Sequence, residues 1–145
     1  MHRQLLAAAF CVLSAAAHAQ NVPAGLWKSV DDNSGQERSL VRISEAGGVY
    51  SGRIEKLLDP SAPAGAVCEK CTDERKGQPI VGMPLIRNIR QSTTDPLIFE
   101  GGDITDPDNG KVYRLRLKPL DSGKKLEVRG YIGPFYRNQT WLRVE

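Results

Sequence analysis

Histidine is nearly absent from this sequence: of 145 residues only His2 and His18 carry an imidazole, and both precede residue 20. The one long apolar run, Leu5 to Ala17, lies in the same stretch. It follows a short basic start, His2-Arg3, and leads into Ala17-His18-Ala19, the small-x-small pattern that signal peptidase cuts. Residues 1–19 are therefore predicted to be a secretory signal peptide, cleaved before Gln20. The run is too short to span a bilayer and has no stop-transfer flank, so no membrane insertion is expected after cleavage. Phe10 stands where lipidation of Cys11 would need a small residue. The mature chain, residues 20–145, then has no histidine, which excludes histidine triads, general bases and metal ligands. Only Cys68 and Cys71 remain, and two thiolates alone do not make a zinc site. No metal and no cofactor is implied. A strong charge of one sign is missing too: without Arg3 the chain has 19 basic and 17 acidic residues, a net +2 that argues for neither nucleic acid nor a membrane surface.

What the mature chain has is punctuation. Gly, Pro, Asn and Asp recur at short intervals, and the runs between them alternate with a period of two, the pattern of short antiparallel strands. Eight strands are predicted: Gly25–Val30, Arg38–Ser44, Val49–Leu57, Met83–Arg90, Leu97–Thr105, Lys111–Leu120, Lys125–Ile132 and Gln139–Val144. Asp31-Asp32-Asn33-Ser34-Gly35, Ala46-Gly47-Gly48, Asp106-Pro107-Asp108-Asn109-Gly110 and Asp121-Ser122-Gly123 read as turns, with side-chain oxygens that bond nearby backbone and glycines that accept positive φ. The exception is Asp59 to Pro79, a long connection with three prolines and both cysteines, in which a short helix over part of Asp59–Lys76 is an expectation. Tyr113, Leu115 and Leu117 alternate with Arg114, Arg116 and Lys118, and Leu126, Val128 and Ile132 with Glu127, Arg129 and Tyr131. Such strands suit a sheet with one buried face. Hairpins without crossovers favour an up-and-down meander, and closing it removes its edges. The fold class expected is all-β: one antiparallel up-and-down barrel of eight strands over residues 20–145.

Few constellations could carry chemistry. Cys68-Glu69-Lys70-Cys71 is a CxxC, but it lies in a Pro/Gly-flanked loop without the βαβ context of a thiol oxidoreductase, so a structural disulfide in an oxidising compartment is expected. Asp106, Asp108 and Gly110 fail the calcium-loop spacing, since Lys111 and Leu117 stand where glycine and glutamate are needed. Glu100 and Asp103 are assigned by parity to opposite faces of one strand, which leaves no paired-acid site. Arg114, Arg116, Arg129 and Arg143 lie on three successive strands: outside the barrel they are solvated, inside it they would call for a carboxylate or phosphate head on a ligand.

Seven short motifs, in order, carry a resemblance. They are Gly25-Leu26-Trp27-Lys28, Gly52-Arg53-Ile54, Pro79-Ile80-Val81-Gly82-Met83, Gly101-Gly102-Asp103-Ile104, Asp106 to Tyr113, Gly130-Tyr131-Ile132-Gly133 and Thr140-Trp141-Leu142-Arg143. On these the mature chain resembles the DUF2147 family of exported bacterial proteins, of unestablished function and lipocalin-like, calycin character. The resemblance implies a Gly-x-Trp on the first strand and a basic residue on the last packed across it, here Trp27 and Arg143. It also implies a periplasmic or secreted location.

The function expected is binding of a small, partly apolar or anionic amphipathic ligand inside the barrel, without enzymatic activity, with Phe99, Tyr113, Leu115, Leu117 and Val128 as lining residues. Two rivals stay open. One is a protein-interaction module with a filled core that contacts a protein partner through Gly133-Pro134-Phe135-Tyr136. The other is a thiol-redox protein acting through Cys68 and Cys71.

Overall fold

The computed structural model describes residues 21–145, and the expected signal peptide, residues 1–19, lies outside the described residues. Eight strands follow one another: β1 Gly25–Val30, β2 Glu37–Ala46, β3 Val49–Leu57, β4 Pro84–Gln91, β5 Phe99–Thr105, β6 Val112–Leu120, β7 Lys125–Ile132 and β8 Phe135–Arg143. Each pairs antiparallel with the next, and β8 pairs with β1, so the sheet closes into an up-and-down barrel. The seam is short, with Trp27 opposite Arg143 and Lys28 opposite Leu142. The bonds from Leu26 N to Glu145 O (2.9 Å) and from Val144 N to Leu26 O (2.8 Å) extend it.

Alternation places one set of side chains inside. Trp27, Val41, Ile43, Ile54, Ile86, Ile89, Phe99, Leu115, Leu117 and Leu126 form the core, and each fully buried aliphatic side chain contributes about 1.5–3 kcal/mol. Tyr50 meets the Phe99 ring edge-on at 5.2 Å. The arginines of β6 and β7 are outside. Arg114 lies over the Tyr131 ring (5.2 Å), Arg116 pairs with Glu127 (3.2 Å) and Arg129 lies over Tyr136 (4.3 Å).

The structure departs from the sequence expectations in three places. β8 begins at Phe135, four residues before the expected Gln139, because Gly133-Pro134 alone turn the chain and Ile132 pairs with Phe135. The outer half of this hairpin stands beyond the core, so both of its faces are wet and the alternation is lost. β5 carries a bulge: Phe99 faces Leu117 but Gly102 faces Leu115, one residue extra, with Gly101 at φ 91°. The bulge resets parity, so Glu100 and Asp103 do not take opposite faces. Both turn outward, and Asp103 pairs with Arg87 at 3.3 Å. Finally, Asp59–Lys76 forms no helix. Pro60 and Pro63 supply no donors, and the segment makes isolated turns (Ala62 N to Asp59 O, 3.1 Å; Ala66 N to Pro63 O, 3.2 Å) and a single bridge, Val67 with Pro79.

Candidate functional site: a cavity at one end of the barrel

The two ends of the barrel differ. One end receives β1 at its start and β8 at its finish, and it is shut. Trp27 is fully buried and donates from Nε1 to the Pro23 carbonyl at 2.7 Å. The Arg143 guanidinium lies 4.2 Å over the indole and donates to the carbonyls of Val22 (2.8 Å), Ala24 (2.9 Å) and Gly123. Burial lowers the pKa of Arg143, but a guanidinium stays charged at any ordinary pH. Gly25 stands against this guanidinium and has no room for a Cβ, which explains the glycine of Gly-x-Trp. The expected packing of Trp27 and Arg143 is thus a plug that joins the first strand, the last strand and the residues before β1.

The other end is formed by the β1–β2, β5–β6 and β7–β8 turns and the long β3–β4 connection. It opens into a cavity of about 670 Å³, within the range of small-molecule sites. Trp141 lies toward its floor and donates from Nε1 to Gln139 Oε1 at 2.9 Å. Ile54, Leu57, Ile104 and Val128 give apolar walls, and Tyr113 stands near the mouth, its hydroxyl accepting from Asn109 Nδ2 at 3.0 Å. Ser29 and Ser39 line the wall as a hydroxyl pair 2.7 Å apart. Gly130, on the inner face of β7, leaves space where a side chain would otherwise project.

Of the five lining residues expected from sequence, Tyr113 and Val128 line this cavity. Phe99, Leu115 and Leu117 face inward as expected, but they belong to the packed half near the shut end, where neighbouring side chains fill the barrel. Sequence reasoning missed Trp141, Ser29, Ser39, Gln139 and the charged rim. A signal for part of this was present: Ser29 shares strand parity with Trp27, and Ser39 shares it with Val41 and Ile43, so small polar residues interrupt an apolar face where the interior is not filled.

The β3–β4 connection is a two-part structure. Its second half is anchored. Cys68 and Cys71 form a disulfide, buried at 0% and 2% exposure. Arg75 is 2% exposed and bonds both Asp73 oxygens and the Pro84 carbonyl (3.0 Å). The hydrogen bonds from Arg75 hold the Asp73 carboxyl well below the usual carboxylate range. The disulfide loop packs on the β5–β6 turn, with Cys68 Sγ 3.9 Å from the Pro107 carbonyl and Lys70 against Gly110. Its first half supplies Ala62, Pro63 and Ala66 to one side of the cavity mouth. Replacing both cysteines by serine is expected to lower stability by about 2 kcal/mol while the far-UV circular dichroism keeps its β signature. An unchanged melting temperature would show that the disulfide holds nothing.

A closed eight-stranded up-and-down barrel, plugged at one end and hollow at the other, is a lipocalin-like barrel. Comparison with solved structures agrees. HP1028 of the human pathogen Helicobacter pylori, described as belonging to the lipocalin family, superposes with a TM-score of 0.69 at 16% identity, over 84% of this chain and 82% of that one. At that identity the likeness concerns the fold alone. The chain belongs to the family described as an uncharacterized protein conserved in bacteria (DUF2147), whose model matches residues 25–143, the whole barrel. No curated protein matches the sequence.

Proposed function

We propose that the protein is an exported binding barrel for a small, partly apolar molecule, and that it is not an enzyme. The observation that carries this is the half-filled interior: the same inward face that packs tightly around Trp27 and Leu117 leaves a lined space beside Tyr113, Val128 and Trp141. Native interiors are close-packed, so an opening of this size, walled by apolar and aromatic groups with a few hydroxyls and amides, has the make-up of a ligand site. Two features support a binding rather than a catalytic role. The described residues contain no histidine, and the cavity serines bond to each other and to backbone, not to a base. The buried disulfide and the N-terminal signal pattern support export to the periplasm or beyond.

Native mass spectrometry on protein purified from its own host tests this. A reproducible bound mass, released on denaturation, is expected in the wild type and absent from Gly130→Leu, which puts a side chain into the cavity from a position with ordinary room around it. A bound mass of equal occupancy in both proteins would place the molecule elsewhere, and bare protein throughout would count against a retained ligand.

The interaction-module reading keeps one specific observation in its favour. Phe135 is 75% exposed at the tip of the β7–β8 hairpin, beside Tyr136 and Ile132. All three also line the cavity mouth, so the same apolar lip serves an entering ligand.

A further inference from the structure

The charges at the cavity mouth are arranged against the grain of the molecule. The chain as a whole is basic, with a net +3. Yet the cavity is lined by four carboxylates, Asp31, Asp59, Asp106 and Asp108, against two guanidiniums, Arg38 and Arg137. Both guanidiniums are already engaged. Arg38 pairs with Asp108 and, at 3.9 Å, with Asp59. Arg137 pairs with Asp32 on the neighbouring β1–β2 turn, and its charge also acts on Asp31 and Asp106. Among the described residues Asp31 and Asp106 form no direct salt bridge, and with Asp32 they share the one Arg137 charge. Each uses one oxygen to hold its own turn: Asp31 Oδ1 accepts from the Asn33 (3.0 Å) and Ser34 (2.8 Å) amides, and Asp106 Oδ1 accepts from the Asp108 amide (2.8 Å). Among the described residues neither second oxygen accepts a hydrogen bond.

The lining of the cavity points the same way. The rim and walls also present aromatic rings, Phe135 at the lip and Tyr113 and Trp141 inside. Aromatic faces beside carboxylates are the recognition chemistry of ammonium groups. The arginines that would have called for an anionic head are elsewhere: Arg114, Arg116 and Arg129 are outside, and Arg143 is locked into the plug.

We infer that the cavity takes a cationic amphiphile, an apolar body carrying an amine or quaternary ammonium that lies at the mouth between Asp31 and Asp106. This rests on the reading of the cavity as a binding site and adds the charge of its ligand. The body occupies the space beside Val128 and Trp141, and the ammonium adds positive charge to a rim where carboxylates outnumber guanidiniums.

Three probes with the same chain and different heads test it: decyltrimethylammonium, decanol and decanoate, each titrated calorimetrically below its aggregation concentration. The cation is expected to bind at least about tenfold more tightly than decanoate, as expected for two partly exposed carboxylates, with the margin shrinking at high salt. In Asp31→Asn/Asp106→Asn, which keeps the turn-holding oxygens, the preference should disappear while decanol binding is unchanged and the thermal melt stays that of wild type. Equal binding of the three probes, tighter binding of decanoate, or a cation preference that survives in the double variant overturns the inference and leaves the binding barrel standing. Failure of all three probes to bind removes the binding reading itself.

Discussion

Trp27→Ala is expected to be the most damaging single substitution in the barrel, costing about 3–5 kcal/mol, enough to unfold a marginally stable domain. The indole is fully buried, it bonds the Pro23 carbonyl, and it forms the surface on which Arg143 rests. Its loss opens a void at the shut end and leaves the guanidinium without the ring that offsets its desolvation. The measurement is urea unfolding followed by circular dichroism. Arg143→Lys should show a smaller loss, since an ammonium is a single point of donors and cannot serve three carbonyls in the plane of the fork. A Trp27→Ala protein that melts within a degree or two of wild type would mean that the plug does not hold the barrel shut.

Gly110→Val is expected to lower stability by about 3 kcal/mol, from two sources that act together. Gly110 sits at φ 73°, where a β-branched residue is strained, and its added Cβ would overlap the Lys70 carbonyl. The disulfide loop must therefore lift off the β5–β6 turn. Hydrogen exchange should show faster exchange at Cys68 and Gly77, whose amides bond within that loop, with β7 and β8 unchanged. Gly47→Val is the control: its φ of 59° is similarly strained, but no atom crowds it, so it should cost less and leave the loop protected. Equal losses in the two variants would reduce the Gly110 effect to backbone strain alone.

The strands were legible because their inward and outward residues differ in polarity, and this holds wherever a strand crosses the core. It fails where a strand leaves the core. Phe135 to Asn138 are wet on both sides, so nothing in their polarity marks the start of β8. It fails again at Gly101-Gly102, where the bulge inserts a residue; two adjacent glycines inside a strand were the available hint. For the cavity, parity tells which residues face inward but not how deep they lie. Tyr113, Leu115 and Leu117 share one face of β6, yet the first borders an opening and the other two a packed core. The rim was hidden for a different reason. Asp31 and Asp106 read as turn residues, which they are, and only the closure of the barrel brings two turns 75 positions apart to one mouth.

The seam between β1 and β8 has a consequence for assembly. Seven of the eight strand pairings join consecutive strands, but the second edge of β1 waits for β8 to be made. A polypeptide delivered in order from its amino end therefore exposes the edge of β1 for the whole of its synthesis or passage, and that edge can pair with another unfinished copy. Late closure also concentrates the long-range contacts in one event, which slows folding relative to the local hairpins. The fastening of the seam by Arg143, which grips the residues ahead of β1, makes this last step a latch: the ring is open until the final turn of chain arrives, and fixed once it does.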